Sequence, residues 1–119
     1  MEINIRTNGL IYIIDIFGEM NLADSNRLKD LVMKMIEKKA ERFVINTGKI
    51  TSIDSNGVGA FIYISSTLQK LGLPLALANV SSAVEQVMDK TRLSGYFTIF
   101  ESIGEAVHML SDHHFPATK

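Results

Sequence analysis

The chain has 119 residues and contains no cysteine, no tryptophan and only two prolines, Pro74 and Pro116. Without cysteine, disulfides, thiolate zinc sites and thiol nucleophiles are excluded, and a reducing, cytoplasmic setting is the expectation. No stretch approaches the ~18 apolar residues of a membrane span, and Met1-Glu2-Ile3-Asn4-Ile5-Arg6 lacks the basic-then-apolar order of a leader. A soluble, uncleaved chain with no membrane insertion is therefore expected. Charge of either sign is also not in excess: 12 Lys and Arg face 13 Asp and Glu, for a formal net charge of -1. That balance speaks against the basic stripe of a nucleic-acid binder and permits a monomer. The densest cations, Lys34, Lys38, Lys39 and Arg42, are interleaved with Glu37 and Glu41 and read as the solvated end of a helix.

What is present is alternation. Ile3 to Arg6 and Leu10 to Phe17 are rich in β-branched and aromatic residues, and Asn8-Gly9 between them predicts a hairpin. The period then changes: Leu28, Leu31, Val32, Met35 and Ile36 predict a helix from about Leu22 to Lys39, with Asn21 as its cap and Asp24 in its first turn. Arg42 to Thr47 reads as a strand, Ser55 begins a helix stopped by Gly72-Leu73-Pro74, and Leu75 to Val80 reads as a further strand. Ser82-Ala83-Val84-Glu85 and Ser102-Ile103-Gly104-Glu105 have the spacing of capping boxes, with a last strand from Tyr96 to Glu101 between the helices they open. The order β-β-α-β-α-β-α-β-α predicts an α/β fold with a mixed sheet of about five strands and about four helices. One domain over residues 1–112 is expected, followed by a flexible tail, 113–119.

Residues that could carry chemistry are few. The three histidines are His108, His113 and His114; His108 and Asp112 have i,i+4 spacing, but a third metal ligand is lacking. Gly48-Lys49 lacks the upstream glycine and the following hydroxyl of a phosphate-binding loop. No general base is evident for a serine nucleophile, so neither a metal, a cofactor nor an enzymatic activity is expected.

The segment Ile53-Asp54-Ser55-Asn56-Gly57-Val58-Gly59 stands apart, because it puts a hydroxyl and a carboxylate where a helix should begin. Ser55 is the expected N-cap, and on local pattern an ordinary structural cap would suffice. The two glycines argue for more. Each costs on the order of 1 kcal/mol relative to Ala inside a helix, and together they would keep the first turn bare enough for a partner to approach Ser55. With Ser55 as cap, Ser55→Ala would be expected to cost about 0.5–2 kcal/mol.

Ile50-Thr51-Ser52-Ile53-Asp54-Ser55-Asn56-Gly57-Val58-Gly59, followed by an apolar helix, resembles the signature of STAS domains, particularly of bacterial anti-sigma factor antagonists. The likeness extends to Gly18-Glu19 after the second strand, Gly72 after the second helix, Asn79-Val80-Ser81 before the third and Thr91-Arg92-Leu93 before the last strand. It implies a non-enzymatic regulator in which Ser55 is phosphorylated by an anti-sigma factor that is a serine kinase, with a phosphatase reversing the mark. It also implies a partner-binding surface from Gly18, Glu19, Met20, Asn21, Asp54, Ser55, Asn56, Gly57 and Gly59. In two places the chain departs from the family pattern: Asn21 and Asn46 stand where members often carry a carboxylate, and both changes are expected to remove charge near the site. The other reading of the resemblance is a scaffold or subunit of a lipid-transport or stress-signalling assembly, with Ser55 only a cap.

Overall fold

The computed structural model describes residues 1–93 and 95–111. Five strands and four helices follow one another as β1 (Glu2–Asn8), β2 (Ile11–Met20), α1 (Leu22–Glu37), β3 (Arg42–Ile53), α2 (Ser55–Lys70), β4 (Leu75–Ala78), α3 (Ser82–Lys90), β5 (Ile99–Phe100) and α4 (Ile103–Ser111). The predicted order and mixed sheet are those observed. The expected tail, with His113 and His114, and the domain end at Asp112 lie outside the described residues.

Strands lie in the sheet in chain order, β1 antiparallel to β2 and the rest parallel. Because each parallel strand is added on the same side of the last, right-handed crossovers carry α1, α2 and α3 to one face. There Leu28, Val32, Phe61, Ile64, Leu68, Val84 and Met88 pack on Ile14, Ile16, Phe43, Ile45 and Leu77. The fourth helix closes the opposite face, laying Ala106 and Leu110 over Ile11, Ile13, Val44, Ala76 and Ala78. Arg42 fastens its end by donating from Nη1 to the Leu110 carbonyl at 2.7 Å, a cation at the negative pole of the helix.

Several element ends differ from expectation, each for a local reason. The hairpin loop is Gly9-Leu10, since Asn8 still pairs with Ile11 and only Gly9 takes positive φ, at 62°. β4 stops at Ala78 because Asn79 turns left-handed, at φ 59°. β5 is cut to two residues because the chain before it spends itself on packing, Phe97 standing edge-on to Phe61 with ring centroids 6.5 Å apart. The capping box expected at α3 is not formed: Ser81, one residue earlier, is the cap, accepting from Val84 N at 3.3 Å, and Val84 at the third helical position has no polar side chain to reciprocate.

β3 departs most, running on to Ile53. Beyond the short β4 it stays paired only with β2, and two register irregularities, between Asp15 and Phe17 and between Gly18 and Glu19, let the ribbon bend toward the helices. Gly18 takes φ 91°, a conformation that favours glycine.

Candidate functional site

The β2–β3 ribbon ends with Met20 opposite Ile53. The next residue on each strand, Asn21 and Asp54, is the N-cap of a helix, so α1 and α2 start side by side at one end of the molecule. Around them Met1, Glu19, Met20, Asn21, Asp24, Ser52 and Asp54 enclose a depression of about 290 Å³.

The two caps differ. Asn21 Oδ1 accepts from Asp24 N at 2.9 Å while Asp24 Oδ2 accepts from Asn21 N at 3.2 Å, a closed reciprocal box. The amino terminus lies 3.7 Å from Asp24 Oδ2. At the second helix, Asp54 Oδ1 accepts from Asn56 N at 2.9 Å and Gly57 N at 3.2 Å. Asp54, not Ser55, is therefore the N-cap, which corrects the expectation. Its backbone is extended, φ -115° and ψ -172°, as a cap requires, whereas Ser55 is already the first helical residue. A carboxylate placed one residue ahead reaches the second and third amides and leaves the serine hydroxyl with nothing to satisfy. Ser55 is exposed, and its hydroxyl makes no hydrogen bond among the described residues.

The glycines also divide. Gly57 is buried, and a Cβ there would run into Ile53 Cγ1 and lie 2.8 Å from Ile53 Cδ1. It admits the strand end beneath the helix and does not clear space for a visitor, contrary to the sequence reading. Gly59 is exposed, and a Cβ there would meet nothing within 4 Å. Ser55, Gly59 and Tyr63 follow at i, i+4 and i+8, all exposed, so the hydroxyl and the tyrosine ring lie on one ridge with a bare step between them. The Lys29 ammonium of α1 lies 5.2 Å from the Tyr63 ring centroid, and Leu22, the first residue of α1, is 56% exposed. Sequence reasoning missed Leu22 and Tyr63; their signal was an apolar residue on the solvent side of each helical repeat.

Of the expected contact residues, Glu19, Asn21, Asp54, Ser55, Asn56 and Gly59 are exposed at this end, Gly18 is half-buried, and Met20 and Gly57 are buried beneath them. Asn46 is elsewhere. It is buried on the α4 face, donating from Nδ2 to Asp15 Oδ1 at 2.7 Å and accepting from Gly48 N at 3.1 Å. Arg6 completes the cluster through Nε and Nη2 on the two Asp15 oxygens, at 2.6 and 3.0 Å. These hydrogen bonds, Arg6 foremost, hold the Asp15 carboxyl below the usual range against the opposing effect of burial. Asn46 thus belongs to a structural cluster and not to the helix end, which corrects its expected place near the site.

The model of the STAS domain matches residues 2–106. Among solved structures, an anti-sigma factor antagonist from Mycobacterium paratuberculosis superposes with TM-score 0.82 at 14% identity, over 93% of this chain and 94% of that one. The Bacillus cell fate determinant SpoIIAA in its phosphorylated form superposes with TM-score 0.72 at 18% identity, over 92% of this chain and 99% of its own. A sulfate transporter family protein from Wolinella succinogenes does so with TM-score 0.74 at 22% identity, over 86% and 85%. At these identities the likeness is one of fold. With the match running from β1 into α4, the ribbon that delivers two capped helices to one end belongs to a family architecture: the chain is a member of the STAS domain family.

Proposed function

We propose that this chain is a cytoplasmic anti-sigma factor antagonist: unmodified, it binds an anti-sigma factor serine kinase and so releases a sigma factor, and phosphorylation of Ser55 ends that binding. One observation carries the reading. The Ser55 hydroxyl is exposed at the start of α2 and released from capping by Asp54. The Ser55–Gly59–Tyr63 ridge, with Leu22 beside it, gives a kinase apolar surface to cover around a polar centre.

In the transfer, Ser55 Oγ bonds to the γ-phosphorus of a nucleoside triphosphate held by the kinase, the bond to the β-phosphate's bridging oxygen breaks, and the hydroxyl proton passes to a base of the kinase. This chain supplies the hydroxyl and its position. The product carries roughly -1.5 to -2 charges. The dipole of α2 favours them, but the nearest amides, Asn56 N and Gly57 N, already serve Asp54, so the phosphoryl group faces outward beside a carboxylate. A docked surface would have to desolvate both, and a loss of ~2.8 kcal/mol already weakens a complex a hundredfold. A phosphatase hydrolysing the ester restores the first state. SpoIIAA, of the same fold, has been solved both unphosphorylated and phosphorylated, which supports such a cycle.

The sulfate transporter family neighbour supports a second reading, a STAS subunit of a larger assembly in which Ser55 is not modified. Recovering partners from cells with wild type, Ser55→Ala and Ser55→Asp separates the two. A kinase retained by the first two and lost by Ser55→Asp is expected; a kinase held equally by all three, or none at all, removes the switch.

A further inference from the structure

The sheet has two edges, and they are treated differently. At one, β5 is only two residues long, too short to template another strand. At the other, β1 runs seven residues, pairs with β2 from Glu2↔Phe17 to Asn8↔Ile11 without a register shift, and has no strand on its outer side among the described residues. It carries two charged residues, Glu2 and Arg6, but Glu2-Ile3-Asn4-Ile5-Arg6-Thr7-Asn8 contains no proline, no lysine and no bulge. Six of its seven residues are exposed, Ile5 to 40%.

We infer that β1 is the interface of a symmetric dimer, formed with the β1 of a second copy running antiparallel about a two-fold axis at Asn4. The strand is self-complementary in that register. Glu2 falls opposite Arg6, Ile3 opposite Ile5, and Asn4 opposite itself. Pairing partners share a face of the sheet, so Ile3 and Ile5 of both copies extend the apolar layer on the α1 side, where Ile3 already packs against the core. The charges meet on the α4 side. Arg6 is prepared for this: Nε and Nη2 are held by Asp15, the side chain remains 48% exposed, and Nη1 makes no hydrogen bond among the described residues. Glu2 has no partner among them, so its carboxylate can meet the guanidinium nitrogen that Asp15 leaves free on the second copy's Arg6. Any shift by one residue would set Ile3 and Ile5 against polar residues on the wrong face. An isologous contact of this kind closes with two copies and cannot grow into a fibre. Because the strands run antiparallel, the two Ser55 ends point in opposite directions and both stay accessible.

The absence of cysteine makes the register directly testable. Residues opposed in an antiparallel pair lie about 4.5–5.5 Å apart, within disulfide range, and only position 4 opposes itself here. Purified Asn4→Cys is expected to oxidise to a covalent dimer, and Asn8→Cys, exposed on the same strand but off the axis, to do so at least about tenfold more slowly. Sedimentation equilibrium of the unmodified chain should show a concentration-dependent dimer, and Glu2→Arg, which sets like charges opposite at both ends, should raise its dissociation constant about tenfold. Circular dichroism checks that the variants remain folded. A single-chain mass up to about 1 mM, equal cross-linking rates for the two cysteine variants, or a dimer indifferent to Glu2→Arg overturns the proposal. None of these measurements involves Ser55 or a kinase, so their outcome is independent of the switch.

Discussion

Two aspartates in this molecule are each held by several hydrogen bonds, and they do opposite things. Asp15 lies in the middle of β2, 4% exposed, with both oxygens taken by side chains from the neighbouring strands, Arg6 on β1 and Asn46 on β3. Asp54 lies at the end of β3, exposed, with Oδ1 taken by two backbone amides of the helix it opens. The first carboxylate is consumed in tying three strands together. The second satisfies a helix terminus and thereby leaves its neighbour's hydroxyl uncommitted. A hydrogen-bonded acid is structural in both cases, but only the second arrangement leaves an uncommitted hydroxyl at the surface.

The largest effect should come from removing the buried member. Asp15→Ala leaves the buried Asn46 amide without its acceptor and should lower unfolding free energy by about 2–3 kcal/mol, read from denaturant midpoints at constant slope. Arg6 softens the loss because its guanidinium is half-exposed and can turn to water. Protonation offers a finer version of the same test. The Asp15 carboxyl is held below its ordinary range in the folded chain, so it binds its proton more weakly there than in the unfolded chain. Its contribution is therefore full above about pH 4, the unfolded value, and is lost as pH falls through the lower folded value. Stability of the wild type should fall over that acid interval more steeply than that of Asp15→Asn. Equal slopes would mean that Asp15 is not the group being titrated.

Next in size is the wedge under α2. Gly57→Ala forces a methyl group into Ile53, an overpacking worth about 1–3 kcal/mol, against a gain of up to about 1 kcal/mol in helix propensity. A net loss of about 1–2 kcal/mol is expected. Gly59→Ala has the same chemistry in open space and should stabilise by about 0.4–1 kcal/mol, so the pair separates packing from propensity on one helix turn.

These contrasts also show where sequence reading reaches its limit. Asn21 was legible as a cap because everything it needs, Asp24 included, lies within one helical turn. The order of strands and helices was legible for the same reason: period and turn chemistry are local. The choice between Asp54 and Ser55 was not, since both are competent caps and the decision belongs to where β3 stops pairing, which is set by Met20 on another strand. Gly57 was misread as space for a partner because its neighbour in space, Ile53, becomes its neighbour only after the ribbon bends. The Asp15 cluster went unread altogether, although an aspartate inside the apolar run Ile11 to Ile16 was a sign of a buried partner.

Asp54→Ala should cost about 1 kcal/mol, since it strips the acceptor from two first-turn amides, and Asn21→Ala about the same for α1. Thermal unfolding of the two variants would put the caps on one scale.

Ser55→Ala is the smallest expected effect and the sharpest test of the division of labour. If Ser55 were the cap, the substitution would cost about 0.5–2 kcal/mol. With Asp54 in that role, the hydroxyl contributes no bond to the fold and alanine is the better helix former, so the change should lie within about 0.5 kcal/mol of zero. Because the expected value is near zero, the measurement gains its force from the neighbour: Asp54→Ala must be clearly destabilised in the same experiment. A Ser55→Ala loss as large as that of Asp54→Ala would mean that the hydroxyl is engaged after all, and a hydroxyl engaged in its own helix is less available for transfer. An unperturbed fold, together with loss of phosphate acceptance from the proposed kinase, would place the whole consequence of Ser55 outside the folded domain, in what binds it.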